Sequence, residues 1–167
     1  MVSQKQLLTT NLNIIPSRIN ENIDTVIYSK LKNQLEGMCF QDGYVIPDTI
    51  EIVKRSLGKI VNHNNQSFVR YSIQYTADII SPQAGDEINA YIQNITKMGV
   101  IAYIKLGKSS FESLKESPLL IIIPREYFKD SVVNIDNLVG EQEIKVEVVG
   151  ARVKFQSQQI QVVAKPI

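Results

Sequence analysis

Ser81-Pro82-Gln83-Ala84-Gly85-Asp86-Glu87-Ile88-Asn89-Ala90-Tyr91-Ile92-Gln93-Asn94-Ile95-Thr96-Lys97-Met98-Gly99-Val100-Ile101-Ala102-Tyr103-Ile104-Lys105-Leu106-Gly107 is the stretch that decides the fold. Pro82 and Gly85 signal a turn. Ile88, Ala90 and Ile92 then alternate with polar residues, the pattern of a half-buried strand. After Gly99, Val100, Ala102, Ile104 and Leu106 share one face, and Ile101, Tyr103 and Lys105 share the other. The two runs form a hairpin around Lys97-Met98-Gly99. Glycine suits a position there that needs positive φ or a bulge, because it has no Cβ to clash. What precedes and follows this hairpin differs in pattern, so the chain is read as two modules, 1–81 and 82–167.

Working backwards, residues 6 to 15 alternate loosely through Leu7, Thr9, Asn11, Leu12 and Ile14 and stop at Pro16, which predicts a first strand. Ile19, Ile23, Val26, Ile27, Leu31 and Leu35 follow at amphipathic helical spacing. Ser17 or Asn20 is placed to cap that helix, and Gly37 to end it in a left-handed C-cap. Asp42-Gly43 between Met38-Cys39-Phe40 and Tyr44-Val45-Ile46 predicts a second hairpin. Further strands are predicted at Thr49–Val53, Gly58–Val61 and Phe68–Ala77, with a turn at His63-Asn64-Asn65-Gln66. One helix on an antiparallel sheet is the economical arrangement for this half.

Working forwards, Lys108–Ser117 reads as a polar loop and Leu119–Ile123 as a short apolar strand. Pro124–Phe128 fits a single helical turn with proline at its first position. Ile144, Val146 and Val148 alternate, Gly150 kinks the chain, and Ile160, Val162 and Ala164 pair back. Five strands with a helical turn after the third predict a small OB-type barrel. The fold class is therefore α+β and β-rich.

Composition narrows the chemistry. Of 167 residues, 44% are hydrophobic and 21% charged, as in ordinary globular proteins, and the formal net charge is only +1. Nucleic-acid contact must therefore come from a local patch. The single cysteine, Cys39, can form neither an internal disulfide nor a zinc site, which points to a reducing, intracellular setting. The longest apolar run, Pro118–Pro124, falls short of the roughly 20 residues a bilayer requires. The first residues lack an apolar signal core. His63 lies in a polar turn, and Cys39 sits between Met38 and Phe40 as a small hydrophobe. The acidic pairs Asp86-Glu87 and Glu141/Glu143 flank strand starts, where solvated charge is ordinary. No nucleophile–base constellation, metal cluster or phosphate loop is present, so no catalytic residue, cofactor or metal is expected. The outward positions Tyr91, Lys97, Tyr103, Lys105, Lys108, Arg152 and Lys154 supply a basic, aromatic face. Such a face binds single-stranded RNA by stacking bases on rings and steering phosphates to cations.

Several spacings coincide with one family. Glu36-Gly37-Met38-Cys39, Asp42-Gly43-Tyr44-Val45-Ile46, Val69-Arg70-Tyr71-Ser72-Ile73-Gln74-Tyr75, Ser81-Pro82-Gln83-Ala84-Gly85-Asp86-Glu87-Ile88, Lys97-Met98-Gly99-Val100 and Leu106-Gly107 occur in its order. The chain thus resembles the larger stalk subunit of multisubunit DNA-dependent RNA polymerases, the seventh subunit of the polymerase II type and its archaeal or viral counterparts. The resemblance implies a ribonucleoprotein-like tip domain that docks on the polymerase core and an OB domain, of the ribosomal S-one kind, that touches nascent RNA. The docking loops map to Ile15-Pro16-Ser17 and to Arg55-Ser56-Leu57-Gly58-Lys59-Ile60. It also implies a smaller helical stalk subunit as partner, no membrane, and an intracellular site of action in nucleus, cytoplasm or virion. Val100-Ile101 and Ile121-Ile122-Ile123 stand where RNA-binding relatives often carry rings, which shifts the expected RNA face toward Tyr91, Tyr103, Lys105 and Arg152. The compact barrel and the Ile/Asn-rich composition fit a divergent polymerase such as that of a large DNA virus. A free-standing OB-domain RNA-binding factor in translation or RNA decay is the alternative, and an architectural adaptor a third.

Overall fold

A computed structural model describes residues 3–19, 22–106 and 117–167. The chain divides into two compact units, one made of Gln4–Gly37 and Val45–Ile79, the other of Met38–Tyr44 and Ile80–Ile167 with Ser3.

In the first unit the strand β6 (Gln66–Ile80) is the centre of the sheet, antiparallel to β4 and β5. Its side chains at Tyr71, Ile73, Tyr75, Ala77 and Ile79 are buried, and Arg70, Ser72 and Gln74 are exposed. This is the period-2 alternation of a sheet with one wet face. β1 (Ser3–Ile14) pairs with one edge of β6; β4 (Glu51–Arg55) and β5 (Lys59–His63) pair with the other. β5 and β6 meet through Asn64 (φ 49°) and Asn65 (φ 60°), with His63 opposite Gln66. Two positive-φ residues in a two-residue loop are what a hairpin's twist demands, and asparagine tolerates them best after glycine.

The helix α1 (Ile23–Leu35) buries Ile27, Leu31 and Leu35, one face at i, i+4 and i+8. It starts four residues later than Ile19 predicts. Pro16–Arg18 instead makes a 3-10 turn, and Ile19 is extended (φ −83°, ψ 115°), so Ser17 belongs to that turn and Asn22 precedes the helix. Asn20, the other cap candidate, lies outside the described residues. At the far end Gly37 has φ 69° and donates its N–H to the Val45 carbonyl at 3.0 Å, the left-handed ending expected of it.

The second unit is built on a closed five-strand barrel. β7 (Glu87–Thr96), β8 (Gly99–Tyr103) and β9 (Leu119–Pro124) run antiparallel in succession. β11 (Ile160–Pro166) lies parallel to β9, and β10 (Glu143–Arg152) closes the circuit antiparallel to β11 and β7. Ile88, Ala90 and Ile92, Val100 and Ala102, Leu119, Ile121 and Ile123, Ile144, Val146 and Val148, and Ile160, Val162 and Ala164 all point inward and are buried. These are the alternating positions read from the sequence, and they fill a barrel of this size with aliphatic side chains alone. A 3-10 turn, Arg125–Phe128, follows β9 and buries Phe128. The architecture is that of an OB-fold.

Two details fix the barrel's register. Gly99 has φ 149°, and the pairing shifts register between Val148 and Gly150, where the sequence places a kink. Ser117 is buried; its hydroxyl accepts from the amides of Ile104 (3.1 Å) and Leu119 (3.2 Å) and donates to the Leu119 carbonyl. That one side chain ties the residue after β8 to the start of β9.

The same unit holds β2 (Cys39–Phe40) and, apart from Val45, the strand β3 (Gly43–Val45), with Cys39 opposite Tyr44 and Phe40 opposite Gly43. Cys39 is fastened to the β10–β11 connection by two backbone bonds of 2.8 Å, from its own N–H to the Ser157 carbonyl and from the Gln156 N–H to its carbonyl.

Candidate nucleic-acid interface

Outward side chains on β7, β8 and β9 lie in rows set by register. Tyr91, Tyr103 and Leu120 form one row, and Asn94, Ile101 and Ile122 the next, continued by Val163 on β11. Tyr91 is half-buried, its ring centroid 6.0 Å from that of Tyr103. The ammonium of exposed Lys105 sits 4.3 Å from the Tyr91 ring centroid, within cation–π range. These three predicted residues therefore form a cluster.

One correction follows. Tyr103 is expected outward and available, but it is 1% exposed. β8 is flanked on both sides by paired strands, so an outward ring there is walled in by its neighbours Tyr91 and Leu120. Tyr103 is a supporting ring, not an open stacking surface.

Lys97 is exposed beside Met98 at the β7–β8 turn. The Thr96 hydroxyl holds that turn by donating to the Gly99 carbonyl (3.1 Å) and accepting from the Met98 amide (3.2 Å). Arg152 ends β10, and Lys154 follows it; both are exposed. Lys108 lies outside the described residues. Other barrel lysines are already neutralised, Lys145 by Glu87 at 2.5 Å and Lys165 by Glu147 at 3.1 Å.

Sequence reading missed two features. Ile122 and Val163 are nearly two-fifths exposed, so the β8–β9–β11 outer surface carries an aliphatic strip. The continuous run Leu119–Ile123 hides this, because an all-apolar strand shows no alternation. Phe155 is 65% exposed and meets Phe40 edge-to-face at 5.5 Å beside Lys154. Phe40 is 115 residues away in sequence, and no local pattern announces that pairing.

Burial pushes the Cys39 thiol above its ordinary value, opposed by a hydrogen bond with Ser157. Burial likewise raises the Tyr44 phenol, with Cys39 adding to it. Both groups are neutral near pH 7, and the thiol is not an activated nucleophile. Among the described residues no group of three His, Cys, Asp or Glu side chains is placed to hold a metal ion, and no helix is long and apolar enough to cross a membrane.

In the first unit the predicted docking residues share one end of the sheet. Lys59 pairs with Arg70, whose guanidinium donates to the Asn13 side chain at 2.9 Å, two residues before Ile15. Ile15 and Ile60 are 51% and 74% exposed, and Pro16, Ser17 and Lys59 are exposed as well. Arg55 is instead committed internally, to Asp24 at 2.5 Å and over the Tyr71 ring at 5.7 Å. A Cβ at Gly58 would come within 2.5 Å of Val69, so the loop lies close against β6 there. Leu57 projects at 88% exposure.

No protein-family model matches the sequence. Individual relatives do. The chain is 25% identical over 162 residues to DNA-directed RNA polymerase II subunit rpb7 of Schizosaccharomyces pombe, covering 87% of this chain and 84% of that one. The chain is thus similar to Rpb7 along most of its length. The Dictyostelium discoideum rpb7 subunit is 24% identical over 151 residues, covering 85% of its own length, and the Glycine max subunit 28% over 98 residues, covering 58% of this chain and 53% of that one. The longer Rpb7 matches run through both compact units, so the likeness is not to an isolated barrel.

Proposed function

We propose that the chain is a non-catalytic stalk subunit of a DNA-dependent RNA polymerase, docking on the polymerase core through its first unit and contacting nascent RNA through its barrel. The observation that carries this reading is the Rpb7 likeness along 87% of the chain. The docking surface is Ile15, Pro16 and Ser17 with Gly58, Lys59 and Ile60, joined by Leu57. Exposed aliphatic side chains at a loop tip are anchors that a partner's pocket desolvates. Arg55 holds that tip to α1 rather than reaching outward.

RNA contact falls to Tyr91 with Lys105, to Lys97, and to Arg152, Lys154 and Phe155. Half-exposed rings beside free cations suit single-stranded RNA, where stacking is sequence-tolerant and lysine or arginine meets phosphate. The near-neutral chain makes this contact modest and salt-sensitive. A smaller helical stalk subunit is a partner in this reading, and the likeness to polymerase II subunits supports the nucleus as its site of action.

Purification under native conditions tests the assignment. The chain should co-elute with the large polymerase subunits in constant ratio. Elution free of them, with RNA-binding intact, would replace the proposal with a free-standing RNA-binding factor.

A further inference from the structure

We propose that the free edge of β1, together with the α1 face beside it, receives an extended acidic segment of another polymerase subunit as an added strand. This rests on the polymerase reading above and specifies how part of the first unit engages its assembly.

β1 is 12 residues long and ends the strand order, pairing with β6 alone among the described residues. Native edges are usually blunted by short length, proline, bulges or charge. From Gln6 to Ile14 this edge carries no charge and no proline, and Leu7 is 62% exposed on it. The one cation nearby on the strand, Lys5, is paired to Glu51 at 3.1 Å. Lys30 of α1 donates to the Asn13 carbonyl. Backbone direction alternates along a strand, so every second residue between Leu7 and Asn11 turns its amide and carbonyl toward this edge.

Beside the end of this edge lies a cleft of about 620 Å³, walled by Ile14 and by the Thr25, Val26, Ser29 and Lys30 face of α1. A strand edge flanked by a helix is the geometry in which extended peptides dock by backbone pairing, with the helix side chains reading alternate residues. Charge selects the occupant. Among the described residues, Arg18 and Lys30 both line the cleft, no acidic residue does, and neither cation has a carboxylate partner. An incoming strand with a carboxylate at that point supplies the missing charge.

A second copy of this chain fits poorly. Antiparallel pairing centred on Thr9 sets the copy's Lys5 against Asn13, next to Lys30, so like charges meet.

Amide hydrogen exchange on the isolated chain and on the chain within its purified assembly decides the matter. Co-purification with the large polymerase subunits tests the polymerase reading first; if they are absent, both proposals fall. With the assembly in hand, exchange at alternate amides between Leu7 and Asn11 should slow at least tenfold relative to the isolated chain. Unchanged exchange overturns the added strand and leaves the polymerase assignment standing. Protection lost on ribonuclease treatment, or a concentration-dependent dimer that protects the same amides, also overturns it by naming nucleic acid or a second copy as occupant. Arg18→Glu should weaken assembly at least tenfold with the isolated chain's melting unchanged, and an unaltered affinity counts against the acidic strand. Thr9→Pro should act the same way; should it unfold the chain, Arg18→Glu and the exchange data still decide.

Discussion

A Cβ placed on Gly99 would stand 2.2 Å from the carbonyl oxygen of Ile123, an approach no side chain tolerates. Gly99 opposes Pro124 across the β8–β9 ladder and has φ 149°, so space and backbone conformation both exclude other residues. Gly99→Ala is expected to destabilise the barrel by about 2–4 kcal/mol, from left-region strain and displaced strand backbone. Urea unfolding measures it. A loss under about 0.5 kcal/mol would show that β8 and β9 part easily at this point.

Tyr103 and Tyr91 are paired across β7 and β8, yet substitutions at them should read out differently. Tyr103 is enclosed, so Tyr103→Ala should cost about 3–5 kcal/mol of stability, as for other buried rings, while Tyr103→Phe keeps the ring and most of the packing. Tyr91→Ala should leave folding closer to wild type and lower RNA affinity by about 1 kcal/mol, the low end for a stacked base. Lys105→Ala should reduce the slope of log affinity against log salt by about 0.7, one phosphate contact on a single strand. Binding of a labelled oligonucleotide at several salt concentrations gives both quantities. A salt slope unmoved by Lys105→Ala would remove that lysine from the RNA face.

The difference between those two tyrosines also marks how far the sequence could be read. Alternation placed the barrel's inward residues correctly at Ile88, Ala90 and Ile92 and again at Ile144, Val146 and Val148, because a one-residue slip would turn each set to solvent. Gly37, Gly99 and the His63–Gln66 turn were legible for a similar reason: each satisfies a backbone demand that few residues can meet. The start of α1 was not, since Ile19 fits the helical spacing while Pro16 nucleates a separate turn before it. Alternation says which side a residue faces, not whether neighbouring strands cover it, and so Tyr103 looked open. Contacts such as Cys39 with Gln156, or Phe40 with Phe155, join residues over a hundred positions apart and leave no local pattern.

Stability should decline as pH rises above about 9. Cys39 and Tyr44 are both raised by burial above their ordinary values of 9.0 and 10.0. The folded state therefore holds their protons more tightly than the unfolded chain. Their contribution is complete below the unfolded values and is lost as pH climbs toward the folded ones. Thermal melting between pH 7 and 11 should show a falling Tm, and Cys39→Ala should flatten the first part of the fall. The same burial predicts slow alkylation of Cys39 at pH 7.5 until denaturant is added. Rapid alkylation of the native protein would contradict the enclosed thiol.

The tip of the first unit separates residues that hold the loop from residues that project beyond it. Arg55 bonds Asp24 and covers Tyr71, so Arg55→Ala removes only a partly exposed ion pair and should cost about 1 kcal/mol or less of stability. Leu57 and Ile60 touch little of their own chain, at 88% and 74% exposure. Leu57→Asp and Ile60→Asp should therefore leave the melting temperature nearly unchanged. Each should nevertheless weaken docking on the polymerase core by 2 kcal/mol or more, about 30-fold, if the tip is buried in a partner pocket as anchor residues are. Competition for core polymerase between wild-type and variant chains measures this directly. Equal incorporation of Leu57→Asp and Ile60→Asp would move the docking surface away from the β4–β5 loop and back toward Ile15 and Ser17.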